Sequence, residues 1–230
     1  MQLSERLLAV AGMVKLGNRV VDVGTDHGYI PIYLVQEKKV PSAIAMDIRT
    51  GPLSKAKANV TALHMEEVIQ TRLSDGVQAL KENEADTLII AGMGGGLIRK
   101  IIEDGRVVLE SVEEFILQPQ SEIGLVRRFL ANERYCIIEE DMVFEDGKFY
   151  PMMRVIRGCM FYDREIFFKY GKLLLEHKNL TLKQFLEKEK DVYLKLREQL
   201  LRRQGSNIAD RLCEIEQELE YINEASFFYS

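Results

Sequence analysis

Short apolar runs alternate with stretches of helical spacing as far as about residue 158. The runs are Arg19–Gly24, Ser42–Asp47, Val68–Leu73, Asp86–Gly92, Glu114–Pro119, Tyr135–Glu145 and Lys148–Arg157. Helices are predicted between the first five. One runs from His27 to Glu37, and a helix from Val77 would be capped by Ser74 or Asp75. This alternation predicts a parallel sheet with helices on both faces. Only Asp146-Gly147 separates the last two runs, a strong hairpin signal. The expected fold is therefore α/β and Rossmann-like: seven strands, mostly parallel, with an antiparallel last strand.

After Cys159 the pattern changes. Leu182, Phe185, Val192, Leu196 and Leu200 recur at helical spacing, as do Ile208, Leu212, Ile215, Leu219 and Ile222. Gln204-Gly205-Ser206-Asn207 breaks the two series, which predicts an α-helical hairpin of coiled-coil type. Domains of 1–158 and 159–230 are expected. Residues 163–204 hold eleven Lys/Arg against seven Asp/Glu, whereas residues 205–230 hold one against six. The helices either pair through these flanking charges or present the basic one to RNA phosphate. Lys188, Lys195, Arg202 and Arg203 are the basic positions put forward for that contact.

Composition narrows the classes. A net charge of −5 excludes a broadly basic nucleic-acid binder, so any RNA contact needs a local patch. Cys136, Cys159 and Cys213 form neither a metal-binding nor a disulfide pattern, as suits a reducing cytoplasm. No leader signal and no apolar run long enough for a membrane span are present in the sequence, and a monomer without metal is expected.

The most informative stretch is Val20-Val21-Asp22-Val23-Gly24-Thr25-Asp26-His27-Gly28. A strand ending in an acid, a glycine turn and a following helix form the setting for a nucleotide-type cofactor. Gly24 permits a sharp turn and a close backbone approach. The helix start offers free N–H groups to an anionic group. The pyrophosphate fingerprint has glycine where this chain has Asp26. An aspartate repels pyrophosphate and receives an ammonium, which favours S-adenosylmethionine over NAD. Asp22, Gly24, Asp26 and His27 are the candidates at this turn.

Asp47, closing the second run, is placed for ribose hydroxyls, with Ile48 beside it. Asp75-Gly76, after the third, suit the amine and a ring nitrogen of adenine. Ala91-Gly92-Met93-Gly94-Gly95-Gly96 frees the backbone for close approach by cofactor and substrate. The Asn/Asp-Pro-Pro element usual in enzymes that methylate the exocyclic amine of adenine is missing here, pointing to another atom. Ring N1 carries an in-plane lone pair and attacks a sulfonium methyl without a base, so positioning dominates. Gln118 both donates and accepts, matching the N6/N7 edge of adenine. Asp26 and Gln118 are therefore the catalytic candidates. Tyr29, Met93, Gly94, Pro119 and Tyr150 are candidates for the substrate side, the two tyrosines by stacking on an extruded base.

Asp22-Val-Gly-Thr-Asp-His-Gly-Tyr-Ile-Pro31, Ala91-Gly-Met-Gly-Gly95, Leu117-Gln-Pro-Gln120 and Asp146-Gly-Lys-Phe-Tyr-Pro151 together resemble the bacterial tRNA (adenine(22)-N1)-methyltransferase family. The resemblance spans the chain. It implies a class I S-adenosylmethionine-dependent enzyme acting on N1 of one adenosine in the D-arm region of tRNA. It puts Gly24, Asp26 and His27 at the methionine end of the cofactor, Asp47 at the ribose and Asp75-Gly76 at the adenine. Gly92 departs from relatives expected to carry cysteine there. Two other classes compete: an NAD-dependent oxidoreductase, and a non-enzymatic nucleotide-binding module whose coiled coil recruits a partner.

Overall fold

The computed structural model describes residues 3–202 and 208–230. The chain divides into two compact units, Met1–Met160 and Phe161–Ser230.

The first unit is built on seven strands: β1 (Val20–Val23), β2 (Ala43–Asp47), β3 (Ile69–Leu73), β4 (Thr87–Met93), β5 (Glu114–Pro119), β6 (Tyr135–Glu145) and β7 (Lys148–Arg157). They lie in the order β3-β2-β1-β4-β5-β7-β6. The first five are parallel, and β7 runs antiparallel to both of its neighbours. This is a Rossmann-like methyltransferase sheet. β1, β2 and β5 are buried along their whole length, so their sequences are continuously apolar apart from Asp22, Asp47, Glu114 and Gln118. These four polar residues mark where the sheet does something besides pack.

The helices of this unit are α1 (Glu5–Gly12), α2 (Tyr29–Gln36), α3 (Thr50–Ala62), α4 (Gly95–Asp104) and α5 (Ile123–Asn132). The helix expected from Val77 does not form: residues 75–86 are turns among the described residues. Gly76 has φ +56°, and the Ser74 hydroxyl donates to the Gly76 carbonyl while accepting from the Ala79 amide. Ser74 therefore closes a loop rather than capping a helix.

In the second unit, α6 (Lys172–Glu176) follows a wide helical turn, and α7 (Leu180–Leu201) and α8 (Ile208–Ser226) pack antiparallel. Asn179 caps α7 by accepting from the Leu182 amide. The buried positions are Leu182 and Leu186 on α7 and Ile215, Leu219, Ile222 and Ala225 on α8. The α7 seam thus continues through Glu189, Tyr193, Leu196 and Leu200, and Val192 is 44% exposed outside it. Of the expected series, Val192 was misplaced because the four-three alternation leaves it flanking the seam. The chain end locks this unit: Phe228 packs edge-on against Phe167, and the Tyr229 hydroxyl donates to the Asn179 carbonyl. The expected break at 204–207 lies outside the described residues.

Candidate active site

At the carboxyl edge of the sheet, β1 ends in a turn with three positive φ values: Gly24 at +78°, Asp26 at +49° and Gly28 at +73°. The Gly24 and Thr25 amides both donate to the Met46 carbonyl, which pins the turn to β2. The positive φ of Gly24 favours glycine there, and an added Cβ would also meet the Met93 methyl group, the flexible end of a side chain that can shift.

A cleft of about 520 Å³ opens along this edge. Its lining includes Asp22, Gly24, Thr25, Asp26 and Tyr29 after β1, Asp47 and Ile48 after β2, Asp75 and Gly76 after β3, and Ala91, Gly92 and Met93 on β4. Leu97 and Ile101 from α4, together with Ile48, form apolar walls at the β2–β3 end. Four carboxylates, those of Asp22, Asp26, Asp47 and Asp75, line the cleft against two guanidinium groups, Arg6 and Arg49. The balance suits a cationic ligand and disfavours a pyrophosphate.

Two of the acids are buried. Burial pushes the Asp22 carboxyl up to about 7; the Thr25 hydroxyl beside it, out of alignment for a full hydrogen bond, opposes the shift, and the Asp47 charge adds to it. A ligand ammonium would supply the missing cation. Asp47 is 4% exposed and accepts from the Arg49 amide at 2.8 Å through one oxygen. Asp26, by contrast, has a side chain 61% exposed, 3.6 Å from His27 Nε2. Asp22 is thus the better-shielded partner for an ammonium.

The remaining candidates divide. His27 is not among the residues lining the cleft; its ring stacks on Tyr29 at 5.0 Å, and its carbonyl accepts from Asn59. Gln118 is fully buried beneath the cleft rather than in it. Its Oε1 accepts from the Gly92 amide at 3.1 Å and from Arg6 at 3.0 Å. It has no exposed edge with which to read a base in this structure, and its contacts are instead with Gly92 and Arg6. Gly92 needs that acceptor because it is the bulged residue of β4, at φ +81°, and loses its ladder partner.

Gly94 and Pro119 also lie outside the lining, and the glycine run is not one cofactor floor. A Cβ on Gly95 would stand 2.6 Å from the Ser121 carbonyl oxygen, and one on Gly94 3.1 Å from the Ser121 hydroxyl. These glycines let α4 approach the turn after β5; only Gly92 meets the cleft. Tyr150 is half-buried behind Arg6, whose guanidinium lies 5.1 Å from the ring centre. Lys188, Lys195 and Arg202 are exposed on the second unit, and Arg203 lies outside the described residues. Arg6 and Gln120, both lining the cleft, were missed in the sequence. Only the charge of Arg6 ahead of an apolar stretch hinted at it.

Known proteins resemble this chain in sequence and fold. A methyltransferase-domain family model matches residues 3–153. The chain is 38% identical to the tRNA (adenine(22)-N(1))-methyltransferase of Bacillus subtilis over 196 residues, 85% of this chain and 79% of that protein. The chain belongs to the tRNA (adenine(22)-N1)-methyltransferase family. A Streptococcus pneumoniae structure of this fold, holding S-adenosyl-L-methionine, superposes with a TM-score of 0.88 at 32% identity, covering 97% of this chain and 99% of that one. M. capricolum TrmK, in complex with S-adenosyl-homocysteine, gives 0.87 at 27% identity over 99% of both chains.

Proposed function

We propose that this protein transfers a methyl group from S-adenosylmethionine to ring N1 of adenosine 22 in tRNA. The observation that carries the reading is the acidic cleft along β3, β2, β1 and β4, with buried Asp22 and Asp47 facing it. The name of the Bacillus subtilis relative supports the tRNA substrate and the target atom.

When bound, S-adenosylmethionine supplies a sulfonium methyl. Asp22 receives its ammonium, and Asp26 adds a solvated charge at the turn. Asp47 accepts from the ribose hydroxyls. Asp75 and the Gly76 amide take the adenine, held between Ile48 and the α4 side chains Leu97 and Ile101. Ala91 and Gly92 on β4 form the floor beneath the transferred methyl, and Gln118 fixes Gly92. The N1 lone pair attacks, the sulfur keeps the electron pair of the broken bond, and the positive charge passes from sulfur to the adenine ring. No proton moves, so the site works by alignment and by a field that suits positive charge.

Lys188 and Lys195 on α7 and Arg202 at its C-terminal cap recur every seventh residue and are all exposed. We assign this stripe to tRNA phosphates. Arg197, on another face, pairs with Glu216 of α8 at 3.5 Å and belongs to the hairpin itself. We take the working unit to be a monomer, in the cytoplasm with its tRNA. No described helix is long and apolar enough to cross a membrane. The test is methyl transfer from labelled S-adenosylmethionine to unmodified tRNA, with the product mapped by mass spectrometry. Label at a position other than N1 of adenosine 22, or no label, would refute the reading.

A further inference from the structure

We infer that Arg6 is a substrate-binding residue of this reaction, gripping a phosphate of the RNA beside the target adenosine. The inference rests on the function proposed above and names the group that meets the polyanion at the cleft. Arg6 is half-buried on α1 and lines the cleft. One N–H donates to Gln118 Oε1 at 3.0 Å, and the guanidinium lies 5.1 Å from the centre of the Tyr150 ring. A guanidinium has five N–H donors, so the others stay available in a plane that Gln118 and Tyr150 have already set. Among the described residues no carboxylate pairs with Arg6, whereas Arg49, the other cleft arginine, lies 3.6 Å from Asp47. α1 is itself anchored: the Ser4 hydroxyl accepts from the Leu7 amide, and the Glu5 amide donates to Glu145 of β6 at 2.8 Å.

Position along the sheet edge decides what Arg6 meets. β3, β2 and β1 carry the acids assigned to adenine, ribose and ammonium, and β4 carries the methyl floor. Gln118 stands on β5, two strands beyond β1, which is about 10 Å along the edge. The start of α2, whose N-terminal amides would meet the cofactor carboxylate, follows β1 and so lies across β4 from Gln118, the residue that holds Arg6. A Cβ on Gly92 would lie 3.9 Å from Arg6 and 3.7 Å from Gln120 Nε2, so both polar groups border the point where target base and methyl meet. The anion available there is the RNA backbone, and a planar fork is the donor that grips a phosphate by two bonds.

The experiment compares wild type with Arg6→Ala and Arg6→Lys in the full chain. Initial rates on unmodified tRNA are measured over a salt series, with S-adenosylmethionine titrated calorimetrically and each variant melted. Arg6→Ala should lower kcat/KM for tRNA about a hundredfold and flatten its salt dependence by about one unit of slope. Cofactor Kd should stay within about twofold, because nothing that touches the cofactor is removed. Arg6→Lys should keep the slope but recover under a tenth of the rate, roughly, since a point charge cannot fork. Normal tRNA kinetics in Arg6→Ala would overturn the inference. So would a cofactor Kd that rises as far as kcat/KM falls, which would hand Arg6 to the cofactor carboxylate. A lowered melting temperature with unchanged salt slope would reduce it to a structural residue. If wild type itself leaves tRNA unmethylated, the proposed function fails first and the inference falls with it.

Discussion

Asp22 illustrates how one buried carboxyl links folding, protonation and ligand binding. Its acid form is favoured in the folded chain, up to about 7. The contribution of Asp22 to stability is therefore fully present below the ordinary carboxylate range and is lost as pH rises toward 7. A bound ammonium needs the ionised form, so cofactor affinity should fall as pH drops below about 7, with proton release on binding measurable by calorimetry in two buffers. Asp22→Asn should abolish that pH dependence, weaken binding at pH 8 and flatten the stability profile between pH 4 and 7 in thermal melts. Asp47→Ala should weaken cofactor binding by about 1–3 kcal/mol by removing hydrogen bonds to a charged acceptor, with the fold intact by circular dichroism. An unchanged affinity in either variant would unseat that residue from the cleft chemistry. Asp26, being largely exposed, should cost less than Asp22 when replaced by alanine.

Elements were legible where burial on both faces writes a continuous apolar run, as in β1, β2 and β5. They were illegible where a single turn or bulge intervenes. Ser74-Asp75-Gly76 reads equally as a helix cap and as a loop, and only the positive φ of Gly76 chooses. In β6 the ladder slips between Ile137 and Glu139, leaving Ile138 exposed and turning Glu140 inward. Strict alternation along the sequence would have turned Glu139 inward instead. The inward Glu140 meets Arg127 of α5 at 2.8 Å, with both side chains almost fully buried. Arg127→Ala should strand that carboxylate and cost about 3–5 kcal/mol in denaturant unfolding, whereas a joint Arg127→Met, Glu140→Leu replacement should be nearly neutral. Equal destabilisation by both would mean that packing volume, not charge, holds α5 to β6. The cleft acids were readable because they end strands. Arg6 was not, because its role arises from contacts with residues 112 and 144 positions away, Gln118 and Tyr150.

At the scale of the whole molecule the charge is unevenly spread. The catalytic unit gives RNA little help: residues 1–158 hold nineteen Lys/Arg against twenty-three Asp/Glu. Replacing Lys188, Lys195 and Arg202 together by glutamine should weaken tRNA binding and flatten its salt dependence, by up to about one unit of slope for each phosphate that is no longer neutralised. Cofactor affinity, measured alongside, should hold; a salt slope equal to that of wild type would leave the stripe without a role in RNA binding. A thin basic stripe on a molecule of net charge −5 also sets how the enzyme fares in a crowd. Ribosomal and messenger RNA offer the same phosphates as tRNA. A broadly cationic enzyme would spend its time parked on them. If the stripe grips only a few phosphates against an acidic background, the chain should leave a wrong strand quickly. Bulk RNA should then be a feeble competitor, and the time between productive encounters should be governed by the abundance of tRNA itself.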